Sequence, residues 1–171
     1  MRFKFLMTAA LLGFLLSAPS LVACEDDDLE RASAVAESTQ AEIEAIRSRV
    51  LRRCGLSPKL AENRLPWYFF YEFGVELLNA GKAAEALEPL QMTANLKSEP
   101  ARAARMYGMW YINYLPYFQM SLAYAQLEQW DQAWDAIVMS EALVEFSPGD
   151  YQYDDFESLK QTIARERQPT G

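Results

Sequence analysis

Histidine is absent from all 171 residues. Its absence excludes a histidine metal site, a Ser-His or Cys-His catalytic pair and an imidazole pH switch. Basic residues are also scarce, 16 against 24 acidic for a net charge of −8. A surface of that sign lacks the footprint that phosphate backbones require, so nucleic acid is not an expected partner. There is no Gly-rich phosphate loop, Gly-x-Ser-x-Gly elbow or cluster of metal-ligating residues, and no metal or cofactor is expected. Carboxylate pairs such as Asp131 with Asp135, or Asp154 with Asp155, could serve a hydrolase. They fall on polar helix faces where solvated charge is the ordinary finding, and the reading is a protein that is not an enzyme. The chain is nevertheless 51% hydrophobic, a packing composition and not that of a disordered acidic tail.

Charge is missing altogether from Phe5 to Ala23, directly after Arg2 and Lys4. A short positive start followed by an apolar run is the pattern of an export signal. The run is just long enough to span a bilayer. Ser17, Pro19 and Ser20 interrupt its end and Glu25, Asp26, Asp27 and Asp28 follow at once, which argues against a permanent anchor. Leu21, Val22, Ala23 and Cys24 resemble the lipobox of bacterial lipoproteins. That resemblance implies cleavage before Cys24 and a lipid on its sulfur, so residues 1–23 are a removed leader. The competing reading, ordinary cleavage after Ala23, fits poorly with Leu21 three residues before the cut. Lipidation implies a protein tethered to the inner or outer membrane of a bacterial envelope, facing the periplasm or the cell surface.

Cys24 and Cys54 are the two cysteines. They are 30 positions apart on one expected helix, and at about 1.5 Å per residue that separation exceeds the reach of a disulfide. Cys54 is therefore expected as a buried apolar residue.

Residues 24–171 contain 35 alanines and leucines against 14 valines, isoleucines and threonines, a balance that favours helix. No hairpin signal stands between β-branched runs, and the fold class expected is all-α. The first helix runs from about Asp28 to Cys54, with a narrow seam of Leu29, Ala32, Ala36, Thr39, Ile43, Ile46 and Val50. That seam suits either packing on the following helices or a coiled-coil homodimer. Acidic residues at its start and Arg47, Arg49, Arg52 and Arg53 at its end match the helix dipole. Ser57 and Pro58 open a short helix to about Arg64. Pro66 opens an aromatic helix to Asn79, and a second runs from Ala83 to Leu96 after a turn at Gly81. The stretch from Pro100 to Ile112 reads as helical, lengthening the next helix, with Pro116 as a kink. A last helix covers Gln152 to Arg167, with Phe156, Leu159 and Ile163 as its apolar stripe.

Trp67, Phe70, Phe73, Gly74, Leu77, Ala86 and Leu90 fall where tetratricopeptide repeats place their large and small residues. Tyr117, Met120, Ser121, Tyr124, Ala133, Ile137 and Ser140 repeat the order. The chain over Trp67–Glu145 thus resembles two such units, with Thr93 and Ser98 as departures. Ala86 and Ala133 are 47 residues apart where that repeat is about 34. The resemblance implies helical hairpins stacked into a short right-handed superhelix. Residues 24–65 would form an acidic tether and helical region, 66–146 the two hairpins, and 147–171 a capping helix and tail. It also implies a concave groove for a protein or peptide partner, lined by Tyr68, Tyr71, Val75, Leu78, Asn79, Leu115, Phe118, Leu122, Ala125 and Gln126. The alternative is that flanking helices fill this groove and its aromatics become core. The function these readings imply is an envelope scaffold or assembly factor. A structural dimeric lipoprotein without a groove is the other reading.

Overall fold

The structure, a computed structural model, describes residues 25–60 and 64–167, with side chains from Ser33 onward. The leader and Cys24 lie outside the described residues. Two compact units divide the chain, Met1–Thr39 and Gln40–Gly171. In the first, the described residues belong to helix α1 (Glu25–Arg53), and the side chains from Ser33 to Ser38 are exposed. No proline or glycine interrupts α1, and its arginine-rich last turn complements the dipole. The helix stops where Gly55 takes φ +67. Leu56 N–H then reaches Leu51 O at 2.9 Å and Gly55 N–H reaches Arg52 O at 3.1 Å, closing the last turn.

The second unit continues with α2 (Trp67–Asn79), α3 (Ala83–Leu96), a hairpin of β1 (Ala101–Arg105) and β2 (Tyr111–Tyr114), then α4 (Pro116–Gln126), α5 (Trp130–Ala142) and α6 (Tyr153–Glu166). The chain is mostly helical. α2 pairs with α3 and α4 with α5, α3 packs against α4, and α6 lies on α4 and α5. The α2–α3 pair closes tightly because Gly74 has no side chain. A Cβ there would stand 2.7 Å from Leu90 Cγ, inside contact distance. Ala86, Ser121, Ala133 and Ser140 are likewise fully buried small residues.

Three expectations are corrected. Residues 101–105 and 111–114 form a two-stranded antiparallel hairpin in place of the helix expected from Pro100 to Ile112. Ala101, Ala103 and Ala104 favour helix locally, but packing overrides propensity. Along β2, Tyr111 and Asn113 are exposed, Ile112 is half-buried and Tyr114 is fully buried, the period-two pattern of a strand. Gly108 at φ +54 makes the turn, and Arg105 Nε–H donates to its carbonyl at 2.7 Å. Pro116 is the first residue of α4 and kinks nothing, since the missing N–H is one the helix start would leave unpaired. Ser57 to Leu60 form a turn and not the start of a helix, with Leu60 N–H on Ser57 O at 3.0 Å. Residues 61–63 of that expected helix lie outside the described residues.

Two clusters make up the core. The larger joins Ile46, Val50 and Leu51 of α1, with Cys54 just after it, to the buried faces of α2 and α3, to Ala104 and Tyr114 of the hairpin, and to Met120 and Ala123 of α4. The smaller joins Leu115, Phe118, Ala133, Ile137, Phe156 and Ile163. The apolar stripe of α6 thus docks as its spacing predicts.

Candidate functional site

Six of the ten positions expected to line a partner groove converge on one space. Val75, Leu78 and Asn79 present one face of α2, and Phe118, Leu122 and Gln126 one face of α4. Spacings of three and four residues put each set on a single side of its helix. Asp155, Ser158, Leu159 and Thr162 of α6 supply the third wall, repeating the same spacing, and Gln119 and Gln152 complete a space of about 810 Å³. Leu78 and Phe118 are buried at its base, Val75 and Leu122 are half-buried, and Asn79 and Gln126 are exposed at its rim. The polar lining is four carboxamides, two hydroxyls and one carboxylate. Carboxamides both donate and accept, so this lining suits the uncharged N–H and C=O groups of a peptide chain.

Tyr68 and Tyr71 lie elsewhere. Tyr68 is half-buried, its ring 5.9 Å from that of Tyr107 in the hairpin loop. Tyr71 is a core residue, edge-on to Tyr114 at 5.0 Å, and its hydroxyl accepts a hydrogen bond from Leu115 N–H at 3.2 Å. Burial pushes its phenol far above the ordinary range, so it stays neutral. Phe118 borders the groove, but its ring is held by Phe146 at 4.9 Å and Phe156 at 6.4 Å. Of the two remaining groove positions, Leu115 is buried in the smaller core cluster and Ala125 is half-buried against it.

The start of α4 is built in a way the sequence did not disclose. Its N-cap residue, Leu115, offers no side-chain acceptor. Glu145 supplies one from the far end of α5. Its carboxylate accepts from Tyr117 N–H at 3.0 Å, from Phe118 N–H at 2.9 Å and from Ser140 Oγ–H at 2.7 Å. Only 2% of Glu145 is exposed. Burial raises its carboxyl to about 7, against the opposing pull of the three donors. Val144, just before it, takes φ +55 in the turn that ends α5. A β-branched residue there costs about 1–3 kcal/mol, and that turn delivers Glu145 inward. Arg102 of β1 pairs with Asp150 and donates to Glu145 O at 3.3 Å, tying the hairpin to the same loop.

The paired acidic residues are all exposed, and Asp131 is held by Arg167 at 2.6 Å. Two of the α1 arginines turn toward α2: Arg53 binds Glu72 at 2.6 Å and Glu76 at 2.7 Å, and Arg49 lies 3.6 Å from Glu76. Cys54 is buried, its thiol pushed up to about 11. No described helix is long and apolar enough to cross a membrane.

A second groove, of about 650 Å³, was not read from the sequence. Ile43 and Arg47 of α1 form one wall, Phe69 and Phe73 of α2 belong to its floor, and Met92 and Leu96 of α3 lie on the other wall. The available signal was Met92 and Leu96, which fall off the buried stripe of α3 and stand 40% and 55% exposed. Compared with protein-family models, curated proteins and solved structures, the chain matches none.

Proposed function

We propose that the protein is a lipid-tethered interaction module of the bacterial envelope, a scaffold or assembly factor. In this reading residues 67–145 form two tetratricopeptide-like hairpins stacked as a short right-handed superhelix, with α6 as its cap. The groove between α2, α4 and α6 takes an extended or helical peptide of a partner protein, and Cys24 carries the lipid. The observation that carries the reading is the convergence of Val75, Leu78, Asn79, Phe118, Leu122 and Gln126 on one open, carboxamide-rimmed groove. The close approach of Gly74 to Leu90, and the full burial of Ala86 and Ala133, support the repeat assignment. A tether raises the local concentration of module and partner, so modest affinity at the groove suffices.

A photoreactive residue placed at Gln126 in cells is expected to yield one discrete adduct, which Leu122→Arg removes without changing the helical spectrum. The same probe at Gln132, exposed on α5 outside the groove, is expected to give none. Equal adducts from both positions would refute the groove. Cys24→Ser is expected to move the protein out of the membrane fraction and abolish palmitate labelling.

A further inference from the structure

Large apolar side chains reach solvent at several points on this surface, and at one of them three stand in a row. Met109, Trp110 and Tyr111 are 81%, 66% and 51% exposed. They run from the loop between β1 and β2 into the first residue of β2, and Trp110 is the one exposed tryptophan of the four. The loop projects: a Cβ added to Gly108 would meet nothing within 4 Å. It is also braced. Trp110 N–H donates to Tyr107 O and Met106 N–H to Trp110 O, each at 2.9 Å, and Arg105 Nε–H takes Gly108 O. Tyr107 ties the loop down, its hydroxyl donating to Arg53 O at 3.0 Å and its ring stacked 6.5 Å from that of Trp110. Side chains held on a braced loop lose little further freedom when they meet a partner.

We propose that this tip enters the headgroup region of a phospholipid bilayer, as a second contact beside the tether proposed at Cys24. Size, backbone and residue type favour a bilayer over a protein. A large side chain covers about 150–250 Å², so full cover of these three partly exposed ones removes about 400 Å². A standard protein interface takes about 800 Å² from each partner, whereas a membrane contact adds to an existing tether and needs no such area. Three of the five carbonyls from Met106 to Trp110 already accept internal hydrogen bonds, which lowers the cost of leaving water. Trp and Tyr combine an apolar body with a polar edge and settle at the boundary between membrane and water. No acidic residue stands between Glu99 and Glu128, so nothing on the hairpin repels anionic headgroups. Charge attraction is the smaller part, since Arg102 is already paired with Asp150. The contact rests on the tether only for bringing the chain to a membrane, and it shares no residue with the α2–α4–α6 groove.

The test uses protein purified from the membrane fraction and reconstituted into phosphatidylglycerol–phosphatidylethanolamine vesicles with brominated acyl chains. Emission from Trp110 is expected to move to shorter wavelength and to be quenched by the bromine. Trp110→Phe is expected to remove the quenched share, because Trp67, Trp130 and Trp134 are half-buried elsewhere. Met109→Asp with Tyr111→Asp, both at exposed positions, is expected to abolish the quenching while leaving the helical spectrum and flotation with vesicles unchanged. Wild-type emission untouched by brominated lipid, or quenching that persists in either variant, would overturn the proposal. A tip reserved for a protein partner gives the first of these outcomes. Flotation without quenching overturns the tip contact alone, whereas a wild-type chain that does not float overturns the tip and the tether together.

Discussion

Glu145→Ala is expected to lower the unfolding free energy by about 3–5 kcal/mol, a large share of the roughly 5–15 kcal/mol available to a domain of this size. The effect follows from what the carboxylate leaves behind. Pro116 has no N–H to lose and Gln119 N–H is already bonded to Leu115 O at 3.2 Å, so Tyr117 and Phe118 are the amides that need a partner. Both find it in Glu145, together with the buried Ser140 hydroxyl. Alanine leaves all three donors without this acceptor in a buried site. Glu145→Gln keeps the shape and one acceptor oxygen and is expected to cost less, about 1–3 kcal/mol. Chemical denaturation of the three proteins measures the order.

The same residue sets a pH dependence. Its folded-state carboxyl, at about 7, lies above the ordinary value of 4.5. The native state therefore holds the proton more tightly than the unfolded chain does. Stability from this group is fully present below about pH 4.5 and is lost as pH rises through 7. The change amounts to roughly 3 kcal/mol between pH 4.5 and 8. Glu72, also raised by burial, contributes with the same sign. The difference between wild type and Glu145→Gln isolates Glu145: the variant is expected to be flatter across that range. A difference that does not change with pH would show that the carboxyl titrates normally.

Tyr114→Ala carries the second large effect. Its ring is fully buried, edge-on to Trp67 at 4.7 Å and to Tyr71 at 5.0 Å. Its hydroxyl lies 2.5 Å from Lys97 O and 3.0 Å from Thr93 O, at the end of α3. One side chain at the end of β2 thus joins the first helical pair, the hairpin and the entry to α4. Truncation of a buried aromatic costs about 3–5 kcal/mol. Tyr114→Phe keeps the ring and loses only the hydrogen bonds, for about 1 kcal/mol. Thermal melts of the two variants are expected to differ widely. Equal small losses would place Tyr114 at a surface.

These two residues also mark where sequence reasoning stopped. The helix limits were legible because their stops are local. Gly55 and Gly81 both take positive φ in closing turns, and Pro66 sits at the start of α2, whereas Pro116, expected as a kink, proved to be the start of α4. The hairpin was not legible. Ala101–Arg105 has the composition of a helix, and the four residues of β2 give too short an alternation to outweigh it. Tyr114 becomes a strand residue only once Trp67 and Tyr71 surround it. The role of Glu145 was hidden for a related reason: a cap supplied from 28 residues away leaves no local pattern. A helix start at Leu115 without an acceptor was the one hint. Among the groove positions, Val75, Asn79, Leu122 and Gln126 lie where hairpin geometry puts them. Tyr71 is covered by Tyr114 of β2, where a helix was expected to begin, and Phe118 by Phe156 of α6, outside the repeat pattern.

Helix α4 is a shared wall, held at its start by Glu145 and Tyr71, packed on α3 and α5, and facing the groove between α2, α4 and α6. Native-state hydrogen exchange resolved by residue tests this most directly. The amides of Tyr117, Phe118 and the rest of α4 are expected to exchange only through global unfolding, while those of residues 33–38 of α1, whose side chains are exposed, exchange orders of magnitude faster. Exchange of the α4 amides as fast as those of residues 33–38 would contradict the account.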